Sequence, residues 1–121
     1  MGKTILVVDD ADIIRLIATR TLRGAGYEVI EATDGRAALA LLDGRSVSMA
    51  VCDFSMPVMD GIEFVQAAKA LPQYKSMPIL MLTVADDDGL VKQGKNAGVD
   101  AWMTKPFDVA VLLKAVAKLC P

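Results

Sequence analysis

A fivefold alternation limits what this chain can fold into. Five short apolar runs, at 5–8, 28–32, 49–52, 79–82 and 101–103, are separated by segments with helical spacing. Most of the runs are continuously apolar rather than alternating, as expected of parallel strands covered on both faces. In the first intervening segment Ile14, Ile17, Ala18, Thr21 and Leu22 fall at i, i+3, i+4, i+7 and i+8, and Val109, Leu112, Leu113 and Val116 repeat such a stripe near the end. Each stripe predicts a helix with one buried face. The helix edges carry their own signals: Gly24 and Gly26 close the first helix, Asp34-Gly35 opens the second, Asp60-Gly61 the third, Asp86 to Asp88 the fourth and Asp108 the fifth. Strand and helix thus alternate five times without repeat or linker. This α/β pattern predicts one doubly wound (βα)5 domain over 1–121, with right-handed crossovers that place helices on both faces of a parallel sheet.

Composition narrows the functions such a scaffold can carry. The chain has 13 Lys and Arg against 15 Asp and Glu, with no basic run, so it lacks an electrostatic footprint for nucleic acid or an anionic membrane. Its start, MGKTILVVDD, has no secretory signal architecture, and although Gly2 follows Met1, Leu6 stands where a myristoylation signal needs Ser or Thr. No apolar stretch approaches membrane-spanning length, so the expected location is cytoplasmic, without membrane insertion. Cys52 and Cys120 lie far apart and outside any C-x-x-C pair, and both are expected to be buried, reduced thiols. Histidine is absent, which excludes a Ser-His or Cys-His nucleophile, an imidazole zinc site and a phosphohistidine on this chain.

Open α/β sheets bind ligands beyond the carboxyl ends of their strands. At that edge stand Asp9 and Asp10 after the first strand, Asp53 at the end of the third, Thr83 at the end of the fourth and Lys105 after the fifth. Taken singly, Asp9 or Asp10 reads as a helix cap, and Pro57 with Asp60-Gly61 reads as turn chemistry. Independent structural needs rarely place five such residues at one edge. Three converging carboxylates repel one another unless a cation intervenes. Oxygen ligation by few protein groups suits Mg²⁺, which commonly bridges carboxylates to a phosphoryl group. With Lys105 as a point charge and Thr83 as a hydroxyl donor, the edge has the parts for phosphoryl transfer. In a chain without histidine, the acceptor would be a carboxylate.

These residues sit in four ordered motifs: VVDD at 7–10, CDFSMPVMDG at 52–61, LT at 82–83 and KPF at 105–107. Together they resemble the receiver domain of two-component response regulators, and the whole chain is similar to the stand-alone chemotaxis-type members. The resemblance implies a flavodoxin-like fold with a five-stranded sheet in the order 2-1-3-4-5. It implies that Asp53 accepts a phosphoryl group from a phosphohistidine on a sensor histidine kinase or phosphotransfer protein. It also implies that Asp10, Asp53 and the backbone carbonyl of Ser55 bind Mg²⁺, with Asp9 acting largely through water, while Lys105 and Thr83 hold phosphoryl oxygens. In the family the Lys-Pro bond at this place is usually cis, and Lys105-Pro106 matches that motif, though the isomer itself leaves no mark in a sequence. Trp102 stands where the family more often has Tyr or Phe as the aromatic that moves with Thr83, and its bulk departs from that pattern. Signalling would then pass through the surface of the fourth helix, fifth strand and fifth helix to a downstream protein target.

Two further expectations concern local chemistry. Ser55 and Ala85 occupy positions that tune phosphoryl lifetime in the family, and both are small, which predicts a short-lived phosphoryl group. Gly89 and Gly94 lie inside the fourth helix, and each interior Gly costs roughly 1 kcal/mol relative to Ala, which predicts a locally marginal helix. A haloacid-dehalogenase-type phosphatase fits poorly, because its D-x-D nucleophile matches Asp10-Ala11-Asp12 only superficially. A flavin carrier fits poorly because Asp9-Asp10 would repel the phosphate its first loop must hold. The remaining alternative is a receiver-fold protein-binding module that acts without phosphorylation.

Overall fold

The structure, a computed structural model, describes residues 3–84 and 88–121. Strands and helices alternate as β1 Thr4–Val8, α1 Asp12–Gly24, β2 Glu28–Ala32, α2 Gly35–Leu41, β3 Met49–Asp53, α3 Gly61–Lys69, β4 Ile79–Thr83, α4 Asp88–Ala97, β5 Ala101–Thr104 and α5 Val109–Leu119, with a 3-10 turn at Pro72–Tyr74. All neighbouring strands pair in parallel, in the order β2-β1-β3-β4-β5. Because successive strand residues point to opposite faces, each inner strand feeds two cores. Leu6, Val8, Ala50, Cys52, Ile79 and Met81 pack with Ala38, Phe64 and Val65 on one side. Ile5, Val7, Met49, Val51, Leu80 and Leu82 pack with Ala18, Leu22, Leu112 and Val116 on the other. This is why the inner runs carry no alternation.

The helix faces differ in detail from their expected stripes. In α1 the buried residues are Ala18, Thr19 and Leu22, whereas Ile17 is 40% exposed. The buried face therefore takes in Thr19 rather than Ile17, and Ile13, Leu16 and Ile17 are exposed apolar residues. In α5 Leu112 and Val116 are buried, Leu113 is half-buried and Val109, in the first turn, is 45% exposed. Periodicity alone therefore misjudges the burial of this first-turn residue. The caps follow the sequence signals: Asp34 accepts from Ala37 N–H and Asp108 from Ala110 N–H, each at 2.7 Å. Asp60 forms a capping box with Glu63, satisfying two end groups reciprocally. Helix α1 begins at Ala11 without a side-chain cap. The acidic opening of α4 falls partly on Asp86 and Asp87, which lie outside the described residues, as does Ala85.

The β3–α3 connection decides where Asp53 sits. Gly61 N–H donates to the Phe54 carbonyl at 2.8 Å, which draws the start of α3 against the end of β3. A Cβ at Gly61 would lie 2.8 Å from the Asp53 carbonyl oxygen and 2.6 Å from Met81 Sδ. Glycine is thus required by close approach, beyond the turn chemistry expected of Asp60-Gly61. In the same loop Val58 has φ +71° and is 71% exposed. A β-branched residue in the left-handed region is sterically unfavourable, at a cost of about 1–2 kcal/mol. Two substitutions in this loop should therefore act in opposite directions. Gly61→Ala should destabilise by about 1–3 kcal/mol through overpacking, and Val58→Asn should stabilise by about 1 kcal/mol because Asn tolerates this conformation. Urea unfolding of the two variants checks both signs.

Candidate functional site

Strand register assembles the site. Val8 pairs with Cys52, so Asp9 and Asp53 emerge side by side. Asp53 pairs with Leu82, which leaves Thr83 one residue beyond, and Thr83 pairs with Thr104, which leaves Lys105 one residue beyond. The backbone N–H of Lys105 donates to the Thr83 carbonyl at 2.8 Å and continues that order into the β5–α5 loop. Asp9, Asp53 and Thr83 are buried, Lys105 is half-buried and Asp10 is exposed. Oxygen atoms of Asp9, Asp10 and Asp53 lie within 4.8 Å of one another. The five residues singled out from the sequence therefore share one edge.

Lys105 Nζ lies 2.9 Å from Asp9 Oδ2 and 3.1 Å from Asp53 Oδ1. It offsets part of the negative charge that Asp9 and Asp53 bring together. Burial raises the Asp53 carboxyl above its usual range; Lys105 opposes that rise, the Asp9 charge adds to it, and the Ser55 N–H opposes it. For Lys105, burial pulls the ammonium downward, but the contacts with Asp9 and Asp53 prevail and hold it above its ordinary value. The neighbouring Cys52 thiol, buried and facing the Asp53 charge, is pushed far up. Cys52 is thus an inert packing residue, and both cysteines are free and buried as expected.

The donor set fits a small divalent cation. Asp9 Oδ1 accepts from Ala11 N–H at 2.9 Å, whereas among the described residues buried Asp9 Oδ2 receives no aligned hydrogen-bond donor and is met by the Lys105 ion pair. Three carboxylates with ligand atoms this close, without a sulfur or imidazole group, suit a hard, oxygen-seeking ion. Beside them is a cleft of about 350 Å³ lined by Asp53, Ser55, Thr83, Val84, Leu90 and Lys105. It is large enough for a phosphoryl group next to the carboxylate, and exposed Ser55 lies on its rim.

Trp102 occupies the far side of Thr83. A second cavity of about 440 Å³ is lined by Thr83, Val91, Trp102, Phe107 and Val111 among others. The indole is half-buried against the α2–α3 core and lies on the α4 backbone at Gly94. A Cβ on Gly94 would overlap the ring, at 2.1 Å from its Cζ2 atom. The glycine expected to weaken α4 thus has a packing reason: it leaves the volume that a tryptophan needs. Sequence reasoning did not see this pairing, because Gly94 and Trp102 carry no shared pattern, only complementary size. Arg15 was also missed: its spacing to Asp12 reads as a surface helix pair, yet its Nη1 donates to the Asp9 carbonyl at 2.9 Å. The Lys105-Pro106 bond, whose isomer the sequence left open, is cis.

Two predictions test this geometry. The raised Asp53 carboxyl means that its ionised form costs the fold stability. That group contributes most below the ordinary carboxylate pKa, and its contribution is lost as pH rises through the raised value. Without metal at pH 7, Asp53→Asn should unfold at a higher temperature than the native chain, with the gap shrinking on acidification. Thermal unfolding in chelator across pH 4 to 7 reads both. For the Gly94 seat, Gly94→Ala should destabilise the native chain by about 1–3 kcal/mol. In a Trp102→Leu background the same change should be neutral or stabilising by up to about 1 kcal/mol, as Ala is the better helix former. A double-mutant cycle measures this reversal of sign.

A family model described as the response regulator receiver domain matches residues 5–117. The chain is 34% identical to the chemotaxis protein CheY of Pseudomonas aeruginosa, over 95% of this chain and 94% of that protein. It is 40% identical to the alkaline phosphatase synthesis transcriptional regulatory protein PhoP of Bacillus subtilis, over 98% of this chain but only 50% of that protein. It thus spans about half the length of such transcriptional relatives. Among solved structures, the fold superposes on Vibrio cholerae chemotaxis protein CheY4 with a TM-score of 0.95 and 41% identity, covering 98% of this chain and 99% of that one. It also matches the receiver domain of the Pseudomonas aeruginosa sensor histidine kinase PA1611, whose active-site cleft holds a magnesium ion, at a TM-score of 0.91 and 26% identity, covering 99% and 98% of the two chains. With matched sequence, sheet order and acidic cluster in agreement, this chain belongs to the response regulator receiver domain family of two-component signalling.

Proposed function

We propose that Asp53 is the phosphoryl acceptor of a phosphorylation-dependent switch. The observation that carries this reading is the Asp53 carboxylate, paired to Lys105 and open to the 350 Å³ cleft beside Thr83. An oxygen of Asp53 attacks the phosphorus of a phosphohistidine on a partner kinase or phosphotransfer protein. The phosphorus–nitrogen bond breaks as the acyl phosphate forms, and the imidazole nitrogen retains the bonding pair and takes a proton. Hydrolysis later returns the carboxylate and inorganic phosphate. Asp10, Asp53 and the Ser55 carbonyl would hold Mg²⁺, with Asp9 contributing largely through water. Bound there, the ion would neutralise charge shared between the carboxylates and the transferring phosphoryl group. Lys105, with three N–H donors, turns from the Asp53 carboxylate toward a phosphoryl oxygen, and the Thr83 hydroxyl donates to another.

The switch follows from the second cavity. When the Thr83 hydroxyl is drawn toward the phosphoryl group, the space it shares with Trp102 changes shape, and the packing of α4, β5 and α5 shifts with it. A protein target reads that surface. Ser55 and Ala85, the positions at which the family tunes phosphoryl lifetime, are both small residue types, which predicts a short-lived phosphoryl group. No described helix is long and apolar enough to cross a membrane.

The test is labelling by a small phosphodonor such as acetyl phosphate. The native chain should incorporate one phosphoryl group only with Mg²⁺, Asp53→Asn should incorporate none, and Ala85→Tyr should retain label longer. Label in Asp53→Asn would remove Asp53 from this role. A native chain that takes no label but still binds its target would favour the alternative of a phosphorylation-independent binding module.

A further inference from the structure

We propose that Arg15 is the positioning residue of the acidic site: its guanidinium fixes the β1–α1 turn so that Asp9 and Asp10 present their carboxylates to the divalent cation. The inference rests on the metal-dependent acceptor reading and adds a residue to it. Arg15 lies in the first turn of α1, where periodicity would leave a cation in solvent. Instead its side chain keeps only 16% of its surface exposed and directs all three nitrogens at different parts of the fold. Nη1 donates to the Asp9 carbonyl at 2.9 Å, Nε pairs with Glu31 on β2 at 3.3 Å, and Nη2 pairs with Asp12 at 2.7 Å. A planar guanidinium holds such a spread of acceptors at fixed angles, which an ammonium does not.

The consequence falls on the metal ligands. Asp9 N–H already donates to the Ala32 carbonyl at 3.2 Å, and Asp9 Oδ1 accepts from Ala11 N–H. With the Asp9 carbonyl held by Arg15, its N–H, C=O and one carboxylate oxygen are all committed. The remaining oxygen, Oδ2, is left facing Lys105 and the acidic cluster. Asp10 is the next residue in the same turn, so its direction depends on the same hold. Outer partners that orient metal ligands typically change metal affinity by about 10–100-fold when removed.

A through-space effect would act the other way. A fixed guanidinium beside a cation site repels the cation, so deleting its charge should tighten Mg²⁺ binding if only the field mattered. Positioning predicts weaker binding, and the two effects therefore differ in sign. Calorimetric titration of the full chain with MgCl₂, alongside thermal unfolding in chelator, separates them. Arg15→Met should bind Mg²⁺ about ten-fold or more weakly, and Arg15→Lys, which keeps the charge but not the fork, should also bind weakly. Arg20→Met, which removes an exposed cation from the same helix, should bind as the native chain does. Equal or tighter binding by a folded Arg15→Met overturns the proposal. Should that variant not fold, native affinity in Arg15→Lys does the same. A native chain that binds no Mg²⁺ overturns the acceptor reading along with it, whereas native binding matched by both Arg15 variants overturns the positioning role alone.

Discussion

The mutual repulsion of Asp9, Asp10 and Asp53 is the constraint around which the rest of this molecule is arranged. Two of the three carboxylates are buried, and burial opposes ionisation. Lys105 reaches both buried groups from beyond the end of β5, so the chain itself supplies a cation where negative charge is concentrated. The ammonium is thereby held charged although it too is half-buried. Without Lys105, both buried carboxylates would lose their shared partner. The ammonium thus links the end of β5 to the ends of β1 and β3, neither of which is its neighbour in the sheet.

Much of this was legible in the sequence. The five runs predicted the strands to within a residue at each end, because strands buried on both faces leave a compositional trace that edge effects do not blur. The caps at Asp34, Asp60 and Asp108 were legible because capping is local chemistry, decided within three residues. The shared position of Asp9, Asp53, Thr83 and Lys105 was also legible, since each ends or follows a strand and parallel register aligns those ends.

What the sequence hid was contact between elements. Periodicity specified that α1 has a buried face but not how the helix rolls on the sheet, and Thr19 rather than Ile17 faces inward. Arg15, anchored to β2 through Glu31 and to β1 through Asp9, bears on that roll. Gly94 read as a weak point in α4, because nothing local announces that a ring eight positions later will rest on it. Gly61 read as turn chemistry, because the approach of α3 to the Asp53 carbonyl is a property of two elements meeting. In each case the missing information was a volume or a distance between segments, for which a one-dimensional pattern has no symbol.

The register that aligns Asp9, Asp53, Thr83 and Lys105 draws them from positions nearly a hundred residues apart along the chain. No fragment of the protein contains the site, and no single hairpin or helix pair can nucleate it. Four strands must be in place before the carboxylates meet their ammonium, and parallel pairing of this kind closes long loops before it gains contacts. The capacity to accept a phosphoryl group is therefore a property of the completed sheet, and a partly folded chain is silent by construction.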